Sequence, residues 1–166
     1  MCLPSTGQEY MTTEMTTEKR PPASPLGPLP PLRKAAEYTG EPGCIAAARA
    51  FADGFLQQLA AEWLAVLPAR TEQDVRLVVS ELVTNADRHS DGPYVLELEG
   101  CARWLAVTVY DGNAVGPLLY ARDPARVGGH GMEIVHALCH RVTVESVPVG
   151  KRIRAEFLLD EGADAS

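Results

Sequence analysis

The sequence predicts an α/β two-layer sandwich of the α+β type, with a mixed, antiparallel-rich sheet and helices packed on one face. Three observations carry this. Two long segments repeat apolar residues at steps of three and four, the period of an amphipathic helix. Four later segments alternate apolar and polar residues and are joined in pairs by short turns. The element order is then β-α-α-β-β-loop-α-β-β, helices interspersed with strands that neighbour one another in sequence.

The elements follow in order. Residues 1–31 are unlike the rest: "MTTEMTTEKR" is polar and nearly self-repeating, and "PPASPLGPLPP" is Pro-rich. Neither buries enough apolar surface to offset chain entropy, so a disordered, extended tail is expected. Order begins near Leu32, where "LRKAAEYT" reads as a short edge strand, and "GEPG" at 40–43 is a turn. From Cys44 to about Leu67, Ile45, Ala48, Phe51, Ala52, Phe55, Leu59 and Trp63 form a helical stripe that Pro68 ends. Thr71 reads as the N-cap of the next helix, with Glu72 and Asp74 suiting its first turn. Val75, Val78, Val79, Leu82, Val83 and Ala86 are its apolar face, and "SDGP" at 90–93 stops it. "YVLELEG" at 94–100 and "RWLAVTVYD" at 103–111 alternate, with "GCA" between them. A loop with four glycines and two prolines spans 112–130, and "MEIVHALCH" at 132–140 is helical. "RVTVESVP" and "KRIRAEFLL" form a final hairpin through Val149-Gly150, before a polar tail at 160–166.

Bulk properties narrow the function. A chain of 166 residues suits one domain, here 32–159. A net charge of -7 opposes non-specific nucleic-acid binding, which rests on Lys and Arg neutralising phosphates. A small anionic ligand remains compatible, because backbone N–H groups can bind one. The four cysteines form no CxxC pair and read as reduced thiols. No apolar run has the length of a membrane span, and the N-terminus lacks the basic-then-apolar pattern of a signal peptide. A cytoplasmic protein that engages no membrane is the expectation.

Three stretches carry chemistry. In "ELVTNADRHS", Glu81 and Asn85 stand four apart on one helix face, with His89 a turn further on. A carboxamide oxygen there can ligate a hard cation such as Mg²⁺, and a carboxylate can orient or deprotonate a nucleophile. In "VTVYDGN", Asp111 ends an apolar strand, where a carboxylate can accept a hydrogen bond from an exocyclic amine. In "GGHGMEIV", Gly128, Gly129 and Gly131 lead into a helix whose N-terminus presents free N–H groups to phosphates. The stretch is neither a Walker loop, lacking GK[ST], nor a dinucleotide fingerprint, since no strand enters it directly.

In this order the three stretches resemble the ATP-binding domains of the gyrase B, heat-shock chaperone, histidine kinase and MutL superfamily, with its Bergerat-type fold. The nearest likeness is to the small anti-sigma-factor serine/threonine kinases of actinomycetes. "ELVTNADRHS" looks like their N box, "VYDGN" their first Gly box and "GGHGMEIV" their second, and "EPGCIAAAR" resembles the segment before their first long helix. The resemblance implies that Asn85 holds the Mg²⁺ bridging the nucleotide phosphates and that Glu81 is the general base toward a substrate serine. It implies that Asp111 reads the adenine amine. Gly129, His130, Gly131 and Met132 would cradle phosphates, with Arg88 and His89 near the nucleotide. Asn113 stands where the family has glycine, a residue that tolerates the left-handed turn better than most. The segment 114–127 is short for an ATP lid.

The expectation is therefore an ATP- and Mg²⁺-dependent protein kinase that phosphorylates a serine on a small antagonist protein and sequesters a sigma factor or similar effector; the sequence gives no oligomeric state, though its relatives often form homodimers. The alternative is a non-catalytic, nucleotide-gated binding module, favoured by the short lid and Asn113. A histidine kinase fragment fits poorly, because all four histidines lie at or after the N box. Other residues have plainer readings. His136 and His140, with Cys139, have zinc-like spacing but lack the HExxH glutamate and suit a half-buried helix face. Trp63 and Trp104 read as packing. Lys151, Arg152 and Arg154 read as strand charges facing water.

Overall fold

The computed structural model describes residues 29–90, 92–112, 130–148 and 150–159. Most of the expected tail, the loop 113–129 and the segment 160–166 lie outside the described residues. Chain order is β1 (Leu32–Tyr38), α1 (Cys44–Glu62), α2 (Ala69–His89), β2 (Tyr94–Gly100), β3 (Trp104–Asp111), α3 (Gly131–Leu138), β4 (Arg141–Val147) and β5 (Gly150–Leu158). The five strands form one sheet in the order β1-β2-β3-β5-β4. Every described pairing is antiparallel. The α+β class read from the sequence holds, with β1 at the edge as expected.

The two faces of the sheet differ because side chains alternate along each strand. Leu96, Leu98, Val107, Val109, Ile153, Ala155 and Phe157 point into the core. Val75, Val78, Val79, Leu82, Val83 and Ala86 of α2 meet them, with Ala48, Ala52, Phe55, Leu56 and Leu59 of α1. The other face carries charges paired across strands. Arg154 donates to Glu99 at 3.1 Å and to Glu156 at 3.0 Å, and Arg33 reaches Glu99 at 3.2 Å. The Arg154 guanidinium also lies 5.8 Å from the Trp104 ring centroid. Such part-exposed pairs contribute little each, but they keep this face polar and leave the other to the helices.

Three element ends differ from the sequence reading. α1 stops at Glu62, well before Pro68. Leu64 adopts φ 56, the Ala65 N–H returns to the Leu59 carbonyl, and the Trp63 indole donates to the Pro30 carbonyl at 2.9 Å. A left-handed turn and a tertiary hydrogen bond end this helix, so proline is not what stops it. α2 starts at Ala69 with Pro68 as its N-cap residue, so Thr71 lies inside the first turn and caps nothing. The fixed φ of proline and its missing N–H suit a helix entrance. α3 ends at Leu138, and Cys139 is already extended, because His140 donates its backbone N–H to Glu156 in the sheet.

At the last hairpin Val147 pairs with Gly150, so Gly150 belongs to β5. Its φ is 145, and a Cβ there would collide with the Asp111 carbonyl oxygen and the backbone of Gly112. Both constraints act on rigid backbone. Gly150→Ala is expected to cost on the order of 3 kcal/mol in urea denaturation.

Candidate functional site

α2 builds the site while it builds the core. Its buried stripe fixes the helix on β3, and α1 and α3 flank it. Glu81 and Asn85 then fall just beside that stripe, both half-buried. The amide nitrogen Nδ2 of Asn85 is buried and has no hydrogen-bond partner among the described residues. A buried orphan of this kind costs roughly 1–3 kcal/mol unless a ligand or water completes it. The orphan Nδ2 is a donor and calls for an acceptor such as water or a phosphate oxygen, whereas the carboxamide oxygen is the atom able to ligate a cation.

Glu81 is held by a contact that the sequence does not announce. The Cβ of any residue but glycine at position 131 would collide with Glu81 Oε2. The carboxylate therefore lies directly against the first residue of α3, where unpaired N–H groups and the positive helix end attract negative charge. His130 caps α3 without a side-chain hydrogen bond, is exposed, and sits 3.3 Å from Glu133 through Nδ1. Met132 is half-buried against the core and anchors the first turn of α3. Arg88 and His89 occupy the exposed last turn of α2. Asn113 and Gly129 lie outside the described residues.

On its other side Glu81 lines a cleft of about 390 Å³ between α1 and α2, with Ile45, Arg49, Arg76, Leu77, Ser80 and Thr84. Arg49 donates to Ser80 Oγ at 2.7 Å, and Ser80 donates on to the Arg76 carbonyl at 2.9 Å. Arg76 pairs with Asp53 and Glu72. These bonds tie α1 to α2 and fix the cleft that opens on Glu81.

Asp111 closes β3 on the helix-facing side and is buried. Tyr94 is its register partner on β2 and Lys151 its partner on β5. Burial, with Cys44 and then Asp87 nearby, pushes the Tyr94 hydroxyl well above its ordinary range. Tyr94 therefore stays neutral and packs the end of α2 onto the sheet. Lys151 corrects the sequence reading. It does not face water: only 1% of it is exposed, and its Nζ lies 3.3 Å from Asp111 Oδ2. Its parity is the signal that was available. Lys151 shares a strand face with Ile153, Ala155 and Phe157, and not with Arg152 and Arg154.

The arrangement joins an anion-attracting helix start, a carboxylate and a carboxamide on the facing helix, and a buried acid at the sheet end. These groups suit a phosphate ester that also carries a polar ring, the chemistry of a nucleotide-binding α+β class. Comparison with known families makes the assignment specific. The chain belongs to the histidine kinase-like ATPase domain family, which matches residues 45–157, from the start of α1 into β5. A search of curated proteins gave no match.

The remaining candidates resolve more plainly. Among the described residues no cluster of three or more His, Cys, Asp or Glu is placed to hold a metal. Burial, with Asp74 adding to it, pushes the Cys139 thiol up to about 12, the opposite of what a metal thiolate needs. Cys44, Cys101 and Cys139 are free thiols. No described helix is long and apolar enough to cross a membrane.

Two outcomes follow. Glu81 Oε2 is the end of a flexible side chain, so Gly131→Ala is expected to cost less than about 1 kcal/mol, far less than Gly150→Ala, in the same urea titration. Cys139 in the folded protein should react with a thiol reagent at pH 8 at least about tenfold more slowly than in urea, measured by mass spectrometry of the labelled peptide.

Proposed function

We propose that the chain is an ATP-dependent serine/threonine protein kinase of the anti-sigma-factor type, acting in the cytoplasm. It phosphorylates a serine on a small antagonist protein and sequesters a sigma factor or similar effector. The working unit is the domain 32–159. One observation carries the reading: Glu81 of the N box lies against Gly131 at the start of the second Gly box, although fifty positions separate them. A potential base is thereby set at the helix end suited to phosphates, and a cleft leads to it from outside.

The chemistry assigns each residue a task. The N–H groups at the start of α3, with Gly131 allowing close approach, hold phosphate oxygens. The carboxamide oxygen of Asn85 would hold Mg²⁺, which would supply charge neutralisation at the phosphates. Glu81 accepts the proton of the substrate serine hydroxyl. The serine oxygen bonds to the γ-phosphorus as the bond from that phosphorus to the β-γ bridging oxygen breaks, and ADP departs. Asp111 accepts a hydrogen bond from the adenine amine. Most of the rate gain comes from positioning and charge, as in phosphoryl transfer generally. A second reading, a nucleotide-gated module without transfer, draws on Asn113 in the first Gly box.

Calorimetric titration of ATP with and without Mg²⁺ tests the core of the proposal. The wild type should bind ATP more tightly with Mg²⁺, and Asn85→Ala should lose most of that gain. Glu81→Gln should bind ATP within a few-fold of the wild type, yet transfer label from γ-labelled ATP to the cognate antagonist about a hundredfold more slowly or worse. A folded wild type that binds no ATP would sink both readings. Binding without transfer to the right partner would leave only the module.

A further inference from the structure

Lys151 is a charged side chain that the proposed chemistry leaves without a task. It is 1% exposed, and its ammonium lies 3.3 Å from Asp111 Oδ2 with no hydrogen bond for any of its donors among the described residues. Burying an ammonium is costly even when it is paired, and a pair of this kind is often no more stable than an apolar replacement. An ammonium carries three N–H donors, and a single carboxylate contact leaves donors over. The fold nevertheless fixes Lys151 here with some care. Gly150, with φ 145, lets β5 start flush against the end of β3, which brings Lys151 into register with Asp111.

The pair presents an acceptor and a donor side by side. The six-position edge of adenine presents the complement, an N6 amine that donates and an N1 that accepts. The same edge of guanine offers O6 and N1–H, the reverse order, which would set like against like. We infer that Lys151 is a base-reading residue, donating from Nζ to adenine N1 while Asp111 accepts from the N6 amine. The inference rests on the ATP-binding reading and on the place given there to Asp111. It adds a second polar contact to the base and a reason for the buried ammonium.

The test compares ATP with 1-deaza-ATP, which keeps the amine and lacks the N1 acceptor, by calorimetry on the full chain. The wild type should bind 1-deaza-ATP about tenfold more weakly or worse, since a hydrogen bond from a charged donor is lost. Lys151→Met should bind the two nucleotides equally. If K151M does not fold, the double variant D111N/K151M removes both buried charges together and should likewise show no difference. Equal binding of both nucleotides by the wild type overturns the inference and leaves ATP binding intact. An equal penalty in wild type and variant also overturns it, because another group then reads N1. A folded wild type that binds neither nucleotide overturns the inference together with the proposed function.

Discussion

The packing of α2 on the sheet is the constraint on which the other features depend. Val75, Val78, Val79, Leu82, Val83 and Ala86 are all essentially closed to solvent and meet β3 on one side, with α1 and α3 on the flanks. Side chains in such a stripe interdigitate, so the rotation of the helix about its axis is fixed to within a small angle. That rotation decides where Glu81 and Asn85 point. They sit beside the stripe, half in the interior, and Glu81 there meets the start of α3. The core therefore sets the geometry of the site without supplying any of its polar groups.

The second fixed point is the end of the sheet, where β3 stops and β5 begins. Asp111, Lys151 and Tyr94 share one row across three strands, all on the face toward the helices. The next row on the same face is apolar: Leu96, Val109 and Ile153. The polar row thus marks a sharp boundary between core and site. A buried carboxylate beside a buried ammonium costs desolvation that hydrophobic packing elsewhere must offset. The outer face of the sheet shows the contrast. There Arg33, Glu99, Arg154 and Glu156 pair in partial contact with water, where charges need little from one another and contribute little.

Glu81 joins these two fixed points. Its carboxylate lies against the start of α3, and the residue also lines the cleft between α1 and α2. Small residues make this possible. Gly131 lets a helix terminus close on a carboxylate, and Gly150 lets a strand start against another strand's last carbonyl. Both glycines serve close approach, but only Gly150 also needs the left-handed backbone.

Much was legible in the sequence because period and turn chemistry are local. The steps of three and four, the alternating runs and the GEPG and SDGP stops gave three helices, five strands and the α+β class. The spacing of Glu81 and Asn85 on one helix, and the glycines before Met132, were likewise visible as patterns. The ends of elements were not, because tertiary contacts decide them: the Trp63 indole on Pro30, the left-handed Leu64, and the pairing of His140 with Glu156. By itself the sequence determined which residues could form each element and which motifs could carry chemistry. Only the tertiary structure decided that Glu81 meets Gly131 and that Lys151 is buried beside Asp111. Those contacts join residues tens of positions apart, and local preference says nothing of which distant partner a folded face will meet.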